Sequence, residues 1–419
     1  MRPILLTLLA LALARLAPAK DAPATLAPLG DSRTAIIAFD KAGLNRTTLC
    51  HFNWANALNQ QKYPCTGIFG ISGATSDTII STMLDPALAS NPRFLVILMG
   101  VNDVRSPGFS ADHTMANIAK AADMALARGI TPIVCTDPGS EHYLPAHVAF
   151  INDLNSRIAD YCTRTKGAVL FDLAALASTQ RAPSITLQPG WFYDGIHLQT
   201  LGAYKVGVAL AALLDGLGAS VPDYPGLAGN ILGNPGFTGT TGKLGDGNTG
   251  VLPDLFTGGR DNANSSSAFS VNARPDGANE LVVDLKTTAQ NGLGGMRVSQ
   301  IIPVAEKAEG FQAGVQVEID PGSVNLADVR AEVTLVFSDG TFAVAYDFDG
   351  TQKRDTISAI DPGGPLVLTL QSPANLVGEG REVKSVKFVL GARVLGQGNA
   401  VLRFRNPWCR KVPASPAAN

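Results

Sequence analysis

The feature that most limits what this chain can fold into is a change of hydrophobic period at Val221-Pro222-Asp223-Tyr224-Pro225-Gly226. Before it, unbroken apolar runs alternate with Ala-rich segments of helical length. After it, Gly, Asn, Thr and Asp dominate to about residue 267, and short runs of alternating polar and apolar residues follow. A parallel sheet covered by helices needs strands apolar on both faces, whereas a sandwich turns every second residue outward, so the two patterns call for two architectures. The length of 419 residues agrees, since one ordinary core does not grow that large. The spacing predicts a first domain over 20–218, a linker over 219–227 and a second domain over 228–412.

In the first half, Leu95-Val96-Ile97-Leu98-Met99 is a continuous apolar run ending at Gly100, the pattern of a strand buried on both faces. Met115 to Arg128 reads as a helix stopped by Gly129, and Thr131 to Cys135 as the next strand. Val148 to Thr165 is a second helix ending near Gly167, followed by a strand over 168–173 and a closing helix over 202–217. His51 to Leu58 is also helical, with Phe52 and Trp54 in the core. Strand and helix in alternation at these lengths imply βαβ units with right-handed crossovers, hence an α/β three-layer domain with a parallel sheet.

The second half predicts an all-β sandwich. Its strands are Leu281 to Leu285, Val315 to Ile319, Val333 to Phe337, Phe342 to Phe348, Val386 to Leu390 and Ala400 to Phe404. Asp339-Gly340 between two of these runs is a hairpin signal. Gly245 to Gly250 satisfies GxGxxG but sits in a polar loop with neither strand before it nor helix after it, so a dinucleotide reading fails. Asp347-Phe348-Asp349-Gly350 lacks the remainder of a calcium loop and reads as an ordinary turn at a hairpin end.

Chemistry-bearing residues gather at four strand ends. A run from Ala24 to Leu29 closes in Gly30-Asp31-Ser32-Arg33, which displays one hydroxyl. Gly70-Ile71-Ser72-Gly73-Ala74-Thr75, Gly100-Val101-Asn102-Asp103 and Asp194-Gly195-Ile196-His197 follow in order. A serine hydroxyl becomes a nucleophile only when a base takes its proton, and imidazole can do so near neutral pH. Among the five histidines His197 is the best placed, because Asp194 three residues earlier can hold its ring. His51, His113, His142 and His147 are read as packing or surface residues, and Asp31 and Asp103 as stabilisers of their turns.

The four blocks, in this order over residues 30–197, resemble the SGNH (GDSL-type) hydrolase family, named for its Ser, Gly, Asn and His. The departure is Arg33, where the motif has Leu. The resemblance implies an SGNH/flavodoxin-like fold and a triad of Ser32, Asp194 and His197. It also implies an oxyanion hole made by the Ser32 N–H, the Gly73 N–H and the Asn102 side chain, with Gly70 as the alternative to Gly73. No cofactor and no metal are implied.

Met1-Arg2-Pro3 and the apolar run to Ala14, with Ala17-Pro18-Ala19 after them, read as a signal peptide over 1–19, so the expectation is a secreted or periplasmic chain without a membrane span. Export makes disulfides possible: Cys50 can pair with Cys65 and Cys135 with Cys162, leaving Cys409 odd, or Cys135 is a buried thiol. At 16% charged residues and a net charge of −2 there is no footprint for nucleic acid. Asn234-Pro235-Gly236-Phe237 leading into the sandwich loosely resembles carbohydrate-binding jelly-roll modules. The expected function is therefore a serine esterase acting on acyl, above all acetyl, esters of a small molecule or polysaccharide. The alternatives are a lipase, thioesterase or lysophospholipase of the same family, or a non-catalytic carbohydrate-binding surface protein. The oligomeric state is not legible.

Overall fold

All five residues of the strand Phe94–Leu98 are buried, as its unbroken apolar run requires. The structure, a computed structural model, describes residues 25–38, 43–181, 183–218, 229–304, 308–350 and 355–412. The expected leader over 1–19 and linker over 219–227 lie outside the described residues. Two compact units divide the chain. One comprises Met1–Ala35, Lys62–Thr186 and Leu210–Tyr224; the other comprises Ile36–Gln61, Leu187–Ala209 and Pro225–Asn419.

The first unit is built on a parallel five-stranded sheet in the order Phe69–Gly70, Leu26–Gly30, Phe94–Leu98, Thr131–Cys135, Val169–Phe171. Its register sets Gly30 beside both Gly70 and Leu98, so the ends of three strands meet where Ser32 begins. One face is covered by Ile79, Leu84, Ile118, Ala121, Leu154 and Ile158 from four helices, packed on Leu29, Leu95, Ile97 and Val134. Each such fully buried Leu, Ile or Val side chain contributes about 1.5–3 kcal/mol. The helix expected from Met115 starts earlier, at Ala111, because Ser110 caps it by accepting from the His113 N–H at 3.2 Å. The last strand is shorter than expected: Asp172 accepts the Ala175 N–H at 3.1 Å and starts the helix Leu173–Ala177. A pairing of Cys135 with Cys162 is not formed. Both are free thiols, and burial inside the sheet pushes the Cys135 thiol up to about 12.

The second unit is organised by one strand of 30 residues, Val383–Val412. The two short strands expected over 386–390 and 400–404 are parts of it. The polar interruption between them is where the strand exchanges partners, pairing with Leu293–Pro303 and Val324–Phe337 before it and with Asn279–Thr287 and Gly310–Ile319 after it. Leu281, Val283, Val317, Val333, Leu390 and Phe404 point into one core, giving an all-β, sandwich-like body. The strand Asn45–Thr47 joins the same sheet beside Phe342–Asp349. Trp54 and Tyr204 enter the same core, with the Trp54 ring edge-on to Phe348 at 4.5 Å and to Tyr204 at 5.4 Å. The architecture is thus a parallel-sheet α/β domain followed by an all-β sandwich.

Two loop readings change. Asp347 and Asp349 are not in a turn; both are buried, inside the strand Phe342–Asp349, and Asp349 accepts from Arg393 at 2.9 Å. The GxGxxG stretch does have a strand directly before it, Lys243–Leu244, and its own last three residues form another, Asn248–Gly250.

Candidate active site

Ser32 opens a four-residue helix, Ser32–Ala35, at the C-terminal end of the strand Leu26–Gly30. The Asp31 carbonyl accepts the N–H groups of Thr34 and Ala35, both at 3.0 Å, which closes the turn that carries the hydroxyl. This turn leaves no room beneath it. A Cβ on Gly30 would lie 2.2 Å from the Leu98 carbonyl oxygen, and one on Gly70 would lie 2.5 Å from the Ala35 nitrogen. Asp31 accepts the Arg33 backbone N–H at 3.0 Å, as expected of a turn stabiliser, but it also binds the Arg33 guanidinium. Arg33 is buried between Asp31 and Asp137. Burial alone would lower its pKa; Asp137 and Asp31 outweigh this and hold the guanidinium well above its ordinary value.

Gly73 lies in an exposed loop with φ of +76° and no atom within 4 Å of a Cβ position, so its backbone is open to a ligand. Gly70, by contrast, is used up in packing against the Ser32 turn. Asn102 follows the strand Phe94–Leu98, and its Nδ2 donates to the Ala74 carbonyl at 2.8 Å, which ties it to the Gly73 loop. Asp103 does more than steady its own turn. Its Oδ1 accepts the Ser76 N–H at 2.8 Å and its Oδ2 the Thr114 hydroxyl at 2.7 Å, so it joins the Gly73 loop to the helix Ala111–Ala127. Burial raises the Asp103 pKa against the pull of these bonds. Thus Gly73 and Asn102 are brought together by one network.

In the second unit, Asp194 and His197 form a closed pair. Asp194 Oδ2 lies 2.7 Å from His197 Nδ1, while its Oδ1 accepts the backbone N–H groups of Ile196 at 3.1 Å and His197 at 2.8 Å. Gly195, with φ of +76°, permits the turn between them. Burial pushes the Asp194 carboxyl up, but the His197 backbone N–H, the His197 ring and the Ile196 N–H together hold it below the usual carboxylate range. The ring of Tyr193 stacks on that of His197 at 5.7 Å, and the Tyr193 N–H donates to the His197 carbonyl at 3.1 Å. A carboxylate on one imidazole nitrogen favours the tautomer whose other nitrogen can accept a proton.

Residues 29–204 match the model of the GDSL-like lipase/acylhydrolase family. The chain carries a GDSL-like acylhydrolase domain. Among solved structures, a GDSL-like lipase from Bacteroides thetaiotaomicron is 22% identical, with 50% of this chain and 96% of that chain covered and a TM-score of 0.38. An acetyl xylan esterase is 18% identical over 45% of this chain and 98% of that one, with a TM-score of 0.35. A structure of carbohydrate-binding modules from the β-sandwich superfamily is 9% identical over 42% of this chain and 63% of that one, with a TM-score of 0.28. The comparison with curated proteins finds no match.

Beyond the acylhydrolase blocks, sequence reasoning missed Asp137, Tyr193 and Asp355. Asp137 had one signal: a basic residue at 33, where the family motif is apolar, needs a buried anion if the turn is to keep its place. Asp355 had none, because it acts across 155 residues of chain. Among the described residues no group of His, Cys, Asp and Glu is arranged to hold a metal ion, and no helix is long and apolar enough to cross a membrane.

Proposed function

We propose that the chain is an exported serine esterase that removes short acyl groups, chiefly acetyl, from a polysaccharide. Ser32 Oγ attacks the ester carbonyl and gives its proton to His197. The tetrahedral oxyanion is held by the N–H groups of Ser32 and Gly73 and by the Asn102 amide, each such donor contributing about 3–4 kcal/mol. Collapse expels the sugar alcohol, which takes the proton from His197, and water then attacks the acyl-serine with His197 again as base. Asp194 fixes the imidazole and stabilises its cation.

The observation that carries this reading is the Asp194–His197 contact at 2.7 Å, in which the same carboxylate also binds the histidine's own backbone. A short acyl group is favoured over a long one by the surface of the first unit: among its described residues Leu144 is the one strongly exposed large hydrophobic side chain, and a lipid chain needs a contiguous apolar face. The polysaccharide rests on the leader-like segment 1–19 and the appended sandwich. That sandwich has one exposed aromatic ring among its described residues, Phe342, while Trp408 is buried. The decisive experiment is a series of p-nitrophenyl esters from acetyl to decanoyl, run beside acetate release from acetylated xylan and other acetylated glycans. Rates that fall with chain length, together with acetate release that disappears in Ser32→Ala, are expected. Rates that rise to decanoyl would make the protein a lipase.

A further inference from the structure

We infer that Asp355 is a positioning residue for His197, acting within the second unit through the start of the helix that follows the histidine; this rests on the esterase reading above. The helix Thr200–Gly216 starts three residues after His197. The first N–H groups of any helix lack partners within it, and its positive end favours a carboxylate. Here one carboxylate takes two of them: the Thr200 N–H donates to Asp355 Oδ1 and the Leu201 N–H to Asp355 Oδ2, each at 2.9 Å. Two bonds to one rigid group fix the direction of the helix start as well as its position, which a single bond does not.

Other contacts of the same unit seat this start. Thr200 Oγ1 meets Thr48 Oγ1 at 3.1 Å, and a Cβ on Gly207 would lie 2.5 Å from that of Trp54, the side chain wedged between Tyr204 and Phe348. On the other side of His197 the loop closes on itself, with the Gln199 N–H donating to the Trp191 carbonyl at 2.8 Å and Tyr193 stacked on the imidazole. The Asp194–His197 pair is therefore internally complete, and Asp355 fixes where its chain leaves for the helix. Loss of Asp355 should leave the pair intact but misdirected. Turnover then falls while substrate binding is retained.

The test uses the full chain with p-nitrophenyl acetate, counting intact sites by titration with an organophosphonate. Asp355→Ala should lower kcat per titrated site about ten- to a hundredfold with KM within about twofold. Asp355→Asn, which keeps one acceptor oxygen, should lose less and carries the test if Asp355→Ala does not fold. A residue that only stabilised the fold would reduce the number of titratable sites and leave turnover per site alone; that result, with Ser32→Ala inactive, overturns the inference. Wild-type turnover in Ser32→Ala would instead overturn the esterase reading on which it rests.

Discussion

Nη2 of Arg33 lies 3.0 Å from Oδ2 of Asp137, across 104 residues of chain and with both side chains out of water. The same nitrogen is 2.7 Å from Asp31 Oδ2, so one guanidinium neutralises two buried carboxylates directly beneath the Ser32 turn. The Leu of the family motif would leave both without a cation. Arg33→Leu should therefore destabilise the protein by about 3–5 kcal/mol, read from urea denaturation. Adding Asp137→Asn should recover part of that loss, because one of the stranded charges is gone. A double variant no more stable than Arg33→Leu alone would break the argument.

The catalytic assignments separate by degree. Ser32→Ala should abolish ester hydrolysis with little change in thermal unfolding, since the half-buried hydroxyl contributes little to the core. His197→Ala should be equally damaging because the two act as a unit, whereas Asp194→Asn should leave a measurable remainder. The Asp194 carboxyl is held below the usual range, so its pairing with His197 is present at neutral pH and is lost only as the pH falls through that lowered value. Steady-state rates on p-nitrophenyl acetate decide this; substantial turnover in His197→Ala would place the base elsewhere.

Much of the fold was legible because burial writes itself into period. The run at 95–99, the glycine stop at Gly129 and the Asp339-Gly340 hairpin each map onto the elements Phe94–Leu98, Ala111–Ala127 and the turn before Phe342–Asp349. The Asp194–His197 contact was legible because three residues and a glycine confine it. Long-range exchange was not. Nothing local in Asn45–Thr47 announces that it pairs with Phe342–Asp349, or in Thr200 that its N–H meets Asp355. For that reason a chain ending near Ala219, which the composition break makes attractive, lacks the partners of both segments.

The two loop glycines make opposite predictions. A methyl on Gly70 would meet the Ala35 nitrogen at 2.5 Å and the Thr34 carbonyl carbon at 2.9 Å, both backbone atoms of the turn that carries Ser32. Gly70→Ala should therefore cost about 1–3 kcal/mol of stability and displace the nucleophile. A methyl on Gly73 meets nothing, and its cost is the left-handed backbone alone, about 1–2 kcal/mol. What it should damage is the approach of substrate to the Gly73 N–H, lowering kcat/KM about tenfold or more in a folded protein. Wild-type kcat/KM in Gly73→Ala would remove Gly73 from the oxyanion hole.

Asp347 offers a stability test that is independent of catalysis. Its side chain is buried in the sandwich, with Oδ1 accepting the Phe348 N–H and Oδ2 the Gln371 N–H, both at 3.0 Å. Burial pushes its carboxyl up to about 6 despite the pull of Arg46 and these two bonds. In the unfolded chain the same group titrates at an ordinary carboxylate value of about 3.9. Between those limits the native state keeps a proton that the unfolded state has released, so stability falls as the pH rises through the window, by up to about 3 kcal/mol. Above it the contribution is constant. Asp347→Asn cannot titrate and keeps one acceptor oxygen, so the wild type should lose stability relative to this variant from about pH 4 to pH 6.5 and run parallel to it from there to pH 8. Urea denaturation of both proteins at half-unit pH steps measures the difference directly. A difference that stays level or grows in favour of the wild type between pH 4 and pH 6.5 would mean that the carboxyl is ionised throughout and that the two backbone N–H groups outweigh its burial.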